Sequence, residues 1–289
     1  MSALALALVL TAAVAHAAWN ILAHGVSKTG MSFLWWGAVF STVLWAPVVV
    51  FTGGIGTDDW LGFALGIGVA GVLHVGYMLV LQRGYASGSL SLVYATARGT
   101  GPLLSGIAAI FLLGERPGPL GLVGAAAIIA GVIAIGLADR APSLPGARRR
   151  IDPAIVFGLL TGVAIAAYTI WDANAVRTWG ISPVAFMVGC TLVEAVLYTM
   201  LMGRGVRELP AAFRAQWPRF IAFGILSPLS YILVLTAITI APVALVAPMR
   251  EVSVVLVSLF GVLVLKEGRG GWRFAASIVV VAGIVLLAV

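Results

Sequence analysis

The sequence predicts an all-α polytopic membrane protein, with ten transmembrane helices arranged as two inverted five-helix repeats. Three observations carry this expectation. Of 289 residues, 62% are hydrophobic and only 9% are charged, whereas about a quarter of a soluble globular domain is charged. The mean hydropathy is +1.12. Ten apolar runs of roughly membrane-spanning length follow one another between short breaks. The chain also reads twice. His16-Ala17-Ala18-Trp19-Asn20 lies 152 positions before Tyr168-Thr169-Ile170-Trp171-Asp172, and the same offset pairs Arg98 with Arg250, Glu115 with Glu267 and Gly131 with Gly283. Five spans per copy is an odd number, so the second copy enters the membrane upside down.

The first run, residues 2–23, imitates a secretory signal peptide, with Ala15-His16-Ala17 in the place of a cleavage site. It lacks the basic start of such peptides, its apolar character continues to Leu22, and its repeat partner lies mid-chain. It therefore reads as the first transmembrane helix. The remaining runs are 32–52, 60–82, 88–113, 118–138, 154–176, 182–202, 218–238, 241–265 and 272–289. The longest break, 139–153, carries Arg148-Arg149-Arg150 and three prolines. It divides a first repeat, 1–138, from a second, 154–289.

Basic residues set the expected orientation. Of 17 Lys and Arg, 13 fall on the odd-numbered loops or their edges, from Lys28 and Arg83 to Arg273. Only Arg116 and Arg177 lie on the even side. The positive-inside rule puts the odd loops in the cytoplasm and both termini outside. The net charge of +7 is thereby assigned to topology and not to nucleic acid, and the lipid bilayer is the expected partner.

Five charges within the apolar runs cannot be explained as loop or edge residues: Arg98, Asp172, Glu194, Arg250 and Glu251. A charge at a helix centre costs about 2.5–3.5 kcal/mol on insertion scales, and such residues face a partner or a water-filled cavity. On span four, Ser91, Tyr94, Arg98, Pro102 and Ser105 recur at three- and four-residue steps and form one stripe. His16, Trp19 and Asn20 share a face of span one, and Tyr168, Trp171 and Asp172 share the equivalent face of span six. His74 and Tyr77 share a face of span three, whose repeat partner, span eight, carries Tyr231. Polar stripes with aromatics describe a cavity lining. His16, Trp19, Asn20, His74, Tyr77, Tyr94, Arg98, Tyr168, Trp171, Asp172, Tyr231 and Arg250 are the expected substrate-binding residues. Asp172, Glu194 and Glu251 are the candidates for a protonatable coupling group. A structural reading stands beside this one: Arg98 and Arg250 held in ion pairs by Glu251 or Asp172, the histidines and tryptophans as packing residues, and Glu115 and Glu267 as local caps or loop charges.

Absences narrow the chemistry. There is no G-x-x-x-x-G-K-[ST] motif for nucleotide hydrolysis. There is no H-E-x-x-H or paired-cysteine metal site, and the single Cys190 sits in an apolar run. No metal and no cofactor are expected, and the chain does not read as an enzyme.

The stretch Leu73-His74-Val75-Gly76-Tyr77, followed by Gly84 through Gly99 and Pro102, resembles the first repeat of EamA-like transporters of the drug/metabolite transporter superfamily. The resemblance continues in Leu112-Leu113-Gly114-Glu115, Tyr168 to Asp172, Arg250-Glu251-Val252-Ser253 and Leu265-Lys266-Glu267. It implies ten helices in two inverted repeats and a central cavity lined by spans one, three, four, six, eight and nine. It also implies small metabolites as substrates, and many bacterial members export. Many relatives keep both termini in the cytoplasm, opposite to the orientation the charges predict here.

The expectation is a secondary transporter, in the exporting direction, of small metabolites such as amino acids. It works in a bacterial inner membrane by alternating access around a midplane cavity between the repeats. Arg98 and Arg250 would attract a carboxylate or phosphate, and protons would be the coupling ion if a carboxylate titrates. A flippase for a lipid-linked sugar and an uptake permease are the alternatives within transport. A lipid-modifying intramembrane enzyme or a membrane sensor is the alternative outside it. The oligomeric state is open, and a monomer is compatible with the sequence.

Overall fold

The computed structural model describes residues 1–23, 30–87, 90–138, 152–263 and 270–288. Most of the expected linker 139–153 lies outside these residues, as do Lys28, Lys266, Glu267 and Arg269. Every regular element among the described residues is helical: α1 Ala3–Ala23, α2 Met31–Phe51, α3 Trp60–Ser87, α4 Leu90–Leu112, α5 Pro119–Ala138, α6 Pro153–Arg177, α7 Pro183–Met202, α8 Leu209–Ile240, α9 Val243–Arg250, α10 Val252–Leu263 and α11 Gly270–Ala288. A 3-10 turn, Gly203–Glu208, joins α7 to α8. Helices are the expected outcome for apolar segments in lipid, because a helix satisfies its own backbone donors and acceptors.

Among the described residues, six helical stretches are long and apolar enough to cross a membrane, with the run Pro183–Ile240 counted as one. Pro119–Ile135 and Phe274–Leu287 are shorter apolar helices. Large apolar side chains such as Val50, Phe51 and Phe111 are about four-fifths exposed, as lipid-facing residues are. The expected count of ten helices is not reproduced, and two differences have physical causes. The ninth expected span is two helices, because the chain turns at Glu251 between α9 and α10. The eighth begins at Leu209 and not at 218, because Arg214, Gln216 and Arg219 continue the helix as a polar stretch that hydropathy alone assigns to a loop.

The chain forms two compact units, each drawing on both halves of the sequence. The first unit comprises Met1–Ala3, Gly76–Ile170 and Ala241–Val289. Its tightest helix contact is between α5 and α11. A Cβ on Gly124 would lie 2.8 Å from the Gly283 carbonyl oxygen, and one on Gly283 would lie 2.7 Å from the Gly124 carbonyl oxygen. Only glycine permits this approach. Gly131 meets Val280 and Ala276 just as Gly283 meets Ile128 and Gly124. The 152-residue offset converts each of these contacts into the other, which is the pattern of a pseudo-two-fold packing. Glu115 completes this unit from the loop after α4. Its carboxylate accepts the backbone N–H groups of Val243 (2.7 Å) and Ala244 (2.9 Å) at the start of α9. Glu115 is thus a cap of a helix 128 residues away, and not the local cap or loop charge expected.

The second unit comprises Leu4–Val75 and Trp171–Ile240. An aromatic cluster organises it. Phe223 packs on Trp19 and Phe33, and Trp36 lies against Phe40, Phe213 and Phe220. Gly71 brings α3 against α7: a Cβ there would meet Val193 at 2.5 Å and the Cys190 carbonyl at 3.4 Å. Gly189 is similarly pressed on Ile67. These two glycines set α3 close enough for His74, three residues after Gly71, to reach the polar side chains of α7.

Candidate functional site

The intramembrane charges separate into two clusters, one in each unit. In the first unit, α4 presents Arg98, and the break between α9 and α10 presents Arg250 and Glu251. All three are nearly buried. Arg98 Nη1 donates to both Glu251 oxygens, at 3.2 and 3.3 Å. Arg250 Nε lies 3.8 Å from Glu251 Oε1, and Arg250 Nη2 donates to the Tyr168 hydroxyl at 3.3 Å. Tyr77 packs edge-on against Tyr168, with ring centroids 5.4 Å apart. Arg98 sits over the Tyr94 ring at 5.2 Å, a cation–π contact. Five expected site residues, Tyr77, Tyr94, Arg98, Tyr168 and Arg250, are thereby brought together.

The helix break explains why these groups meet. Glu251 donates its N–H to Pro248 O at 3.0 Å, and its own carbonyl accepts the Val254 N–H at 2.9 Å. This tight turn ends one helix and starts the next. Pro248, without an N–H of its own, weakens the ladder just before it. Arg250 occupies the last turn of α9, where the helix dipole favours a cation. Two guanidiniums face the one carboxylate of Glu251. Of the expected arginine partners, Glu251 fills that role.

Asp172 belongs to the second cluster. His74 Nε2 lies 2.9 Å from Asp172 Oδ2, and the Tyr231 hydroxyl donates to the same oxygen at 2.5 Å. Across the imidazole, His74 Nδ1 lies 3.5 Å from Glu194 Oε1. Cys190, one turn before Glu194 on α7, directs its thiol to that oxygen at 3.5 Å. Asp172 is fully buried, and its Oδ1 has no hydrogen-bond partner among the described residues. Sequence reasoning selected His74, Asp172, Glu194 and Tyr231 separately and missed Cys190. The available signal was the i, i+4 spacing of Cys190 and Glu194, which places both on one face of α7.

The remaining candidates also lie in the second unit. His16 packs on Trp19 at 4.8 Å, and its carbonyl accepts the Asn20 side-chain N–H at 2.7 Å. Trp19 Nε1 is a buried donor without a hydrogen-bond partner among the described residues. Trp171 donates to the Gly66 carbonyl at 3.0 Å and packs on Trp179. That indole is anchored in the helix packing.

Comparison with known proteins agrees with this architecture. A solved crystal structure of a protein 21% identical in sequence superposes with a TM-score of 0.74, covering 99% of this chain and 96% of that one. At that identity the likeness is one of fold. No curated protein matches the chain. The family model of the EamA-like transporter family matches residues 152–289, the C-terminal half of the sequence. The resemblance expected over the whole length is thus matched over that half. This is a multi-pass membrane protein whose residues 152–289 are similar to the EamA-like transporter family.

Proposed function

We propose that this chain is a secondary transporter of small metabolites bearing an anionic or zwitterionic group, amino acids being the first class to test. The Arg98–Glu251–Arg250 cluster carries the reading. Two arginines related by the 152-residue offset are buried around one carboxylate. Guanidinium groups recognise a carboxylate or phosphate through bidentate contacts, and an anionic group of a substrate is the ligand that such a pair suits. Tyr77, Tyr94 and Tyr168 supply ring faces for the rest of the molecule.

The ten-span, two-repeat arrangement with inverted topology is part of the same proposal. Its supports are the duplicated motifs and the offset-related contacts of Gly131 and Gly283. The break at Glu251 interrupts the helix beside the arginines, as discontinuous helices do at transporter binding sites. Transport proceeds by alternating access of the two repeats, in the exporting direction, in a bacterial inner membrane. Asp172 and Glu194, flanking His74, are the proton-carrying groups, because Glu251 is committed to two guanidiniums.

The test is a thermal-stability screen of the purified protein against amino acids and small organic acids. A stabilising ligand is expected to lose at least tenfold in affinity in Arg98→Lys and Arg250→Lys, since a point charge does not reproduce the bidentate fork. Ligands that bind these variants as they bind the unaltered protein would place the substrate elsewhere.

A further inference from the structure

We propose that His74, Cys190 and Glu194 form a binding site for a borderline divalent transition-metal cation of the zinc or cobalt class. The inference does not depend on the transport reading. Ligand atoms of the three residues lie within 4.8 Å of one another. Two of the separations, His74 Nδ1 to Glu194 Oε1 and Cys190 Sγ to Glu194 Oε1, are 3.5 Å. An ion with ligands at the usual zinc distances has tetrahedral edges of about 3.3–3.6 Å. The nitrogen, sulfur and oxygen donor set is one that borderline cations accept and that magnesium and calcium do not favour.

The surroundings orient the histidine as a ligand. Asp172 Oδ2 accepts from His74 Nε2 at 2.9 Å and from the Tyr231 hydroxyl at 2.5 Å. With its proton on Nε2, a neutral imidazole presents a lone pair at Nδ1, towards the Glu194 carboxylate. A cation between these two atoms, 3.5 Å apart, is held by both. A carboxylate behind a ligating histidine is the usual supporting contact of such metal sites. Asp172 is fully buried, whereas His74 and Glu194 keep 15% and 14% of their side-chain surface exposed, a route by which an ion reaches the thiol.

The donors also lie outside the repeat pattern. At the 152-residue offset, His74, Cys190, Asp172 and Glu194 correspond to Leu226, Ala38, Asn20 and Thr42. A duplicated scaffold has no need of this cluster on one side only. Binding forms a metal–sulfur bond and releases the Cys190 thiol proton to water. Three protein ligands leave a fourth position for water or another ligand.

The test is titration of the purified full-length chain with Co2+, read by the thiolate-to-cobalt charge-transfer absorption. The expected result is one saturable site with that band, displaced by Zn2+. Cys190→Ser, a nearly isosteric change, is expected to abolish the band while the protein keeps its thermal unfolding midpoint. Glu194→Gln is expected to weaken binding at least tenfold, and Asp172→Asn about 10–100-fold. Absence of Co2+ binding by the unaltered protein would overturn the site and leave an imidazolium bridging the two carboxylates. Binding without the charge-transfer band, or undiminished in Cys190→Ser, would overturn it equally.

Discussion

At the scale of single residues, Glu251 is the group on which most depends. It is 1% exposed and faces both Arg98 and Arg250. Glu251→Gln leaves two buried guanidiniums against a neutral amide. Removing one partner of a buried pair typically costs about 3–5 kcal/mol, so a large fall in the thermal midpoint in detergent is expected. Glu115 makes a weaker contribution of a different kind. Glu115→Ala removes the acceptor for two backbone donors of α9, and a loss of about 0.5–2 kcal/mol is expected from the usual cost of cap removal. The same fall in unfolding free energy for both variants would contradict this ranking. The intramembrane charges were legible in the sequence because a charge in an apolar run stands out. Their grouping was not. The sequence offers Glu251 or Asp172 as partners of the arginines, and the structure pairs Asp172 with His74 and Tyr231, and Arg98 with Glu251. Cys190 was not selected because it lies singly in an apolar run, while the charged groups beside it come from α3 and from one helical turn away.

At the scale of elements, hydropathy located the apolar runs and missed what happens inside them. Pro218 and Pro228 lie within α8, whereas the helix after Pro248 breaks at Glu251. Proline alone therefore does not mark the break. Glu115 capping the start of α9 and the ion pairs at its end fix a short helix that has only eight residues. The α5–α11 contact depends on glycine in a way that sequence composition only suggests. Gly283→Val places side-chain atoms where the Gly124 carbonyl and Ile128 now lie, 2.7–3.0 Å from the new Cβ. Much reduced folded yield is expected, whereas Gly68→Ala, with nothing within 4 Å of its Cβ, is expected to leave yield unchanged. Equal yields from the two variants, measured by size-exclusion chromatography, would remove the close approach from the account.

At the scale of the whole molecule, the two halves of the sequence and the two compact units divide the chain differently. The repeat was legible because duplication leaves paired motifs at a constant offset. The units were not, because each is assembled from both halves, and α3 and α6 contribute to both. Orientation is a separate prediction. The basic residues place both termini outside the cytoplasm, so a C-terminal alkaline phosphatase fusion is expected to be active and a green fluorescent protein fusion dark. The reverse pattern would overturn the orientation without touching the fold.

The central claim is that the arginine cluster binds a transported solute, and flux in proteoliposomes tests it most directly. Purified protein would be reconstituted and offered labelled amino acids and small organic anions, with and without an imposed pH gradient. The account predicts protein-dependent flux of an anionic or zwitterionic solute, reduced at least a hundredfold in Arg98→Ala and Arg250→Ala. It predicts gradient dependence that is lost in Asp172→Asn or Glu194→Gln. Flux that persists at full rate in both arginine variants would contradict it and leave the cluster as a structural pair.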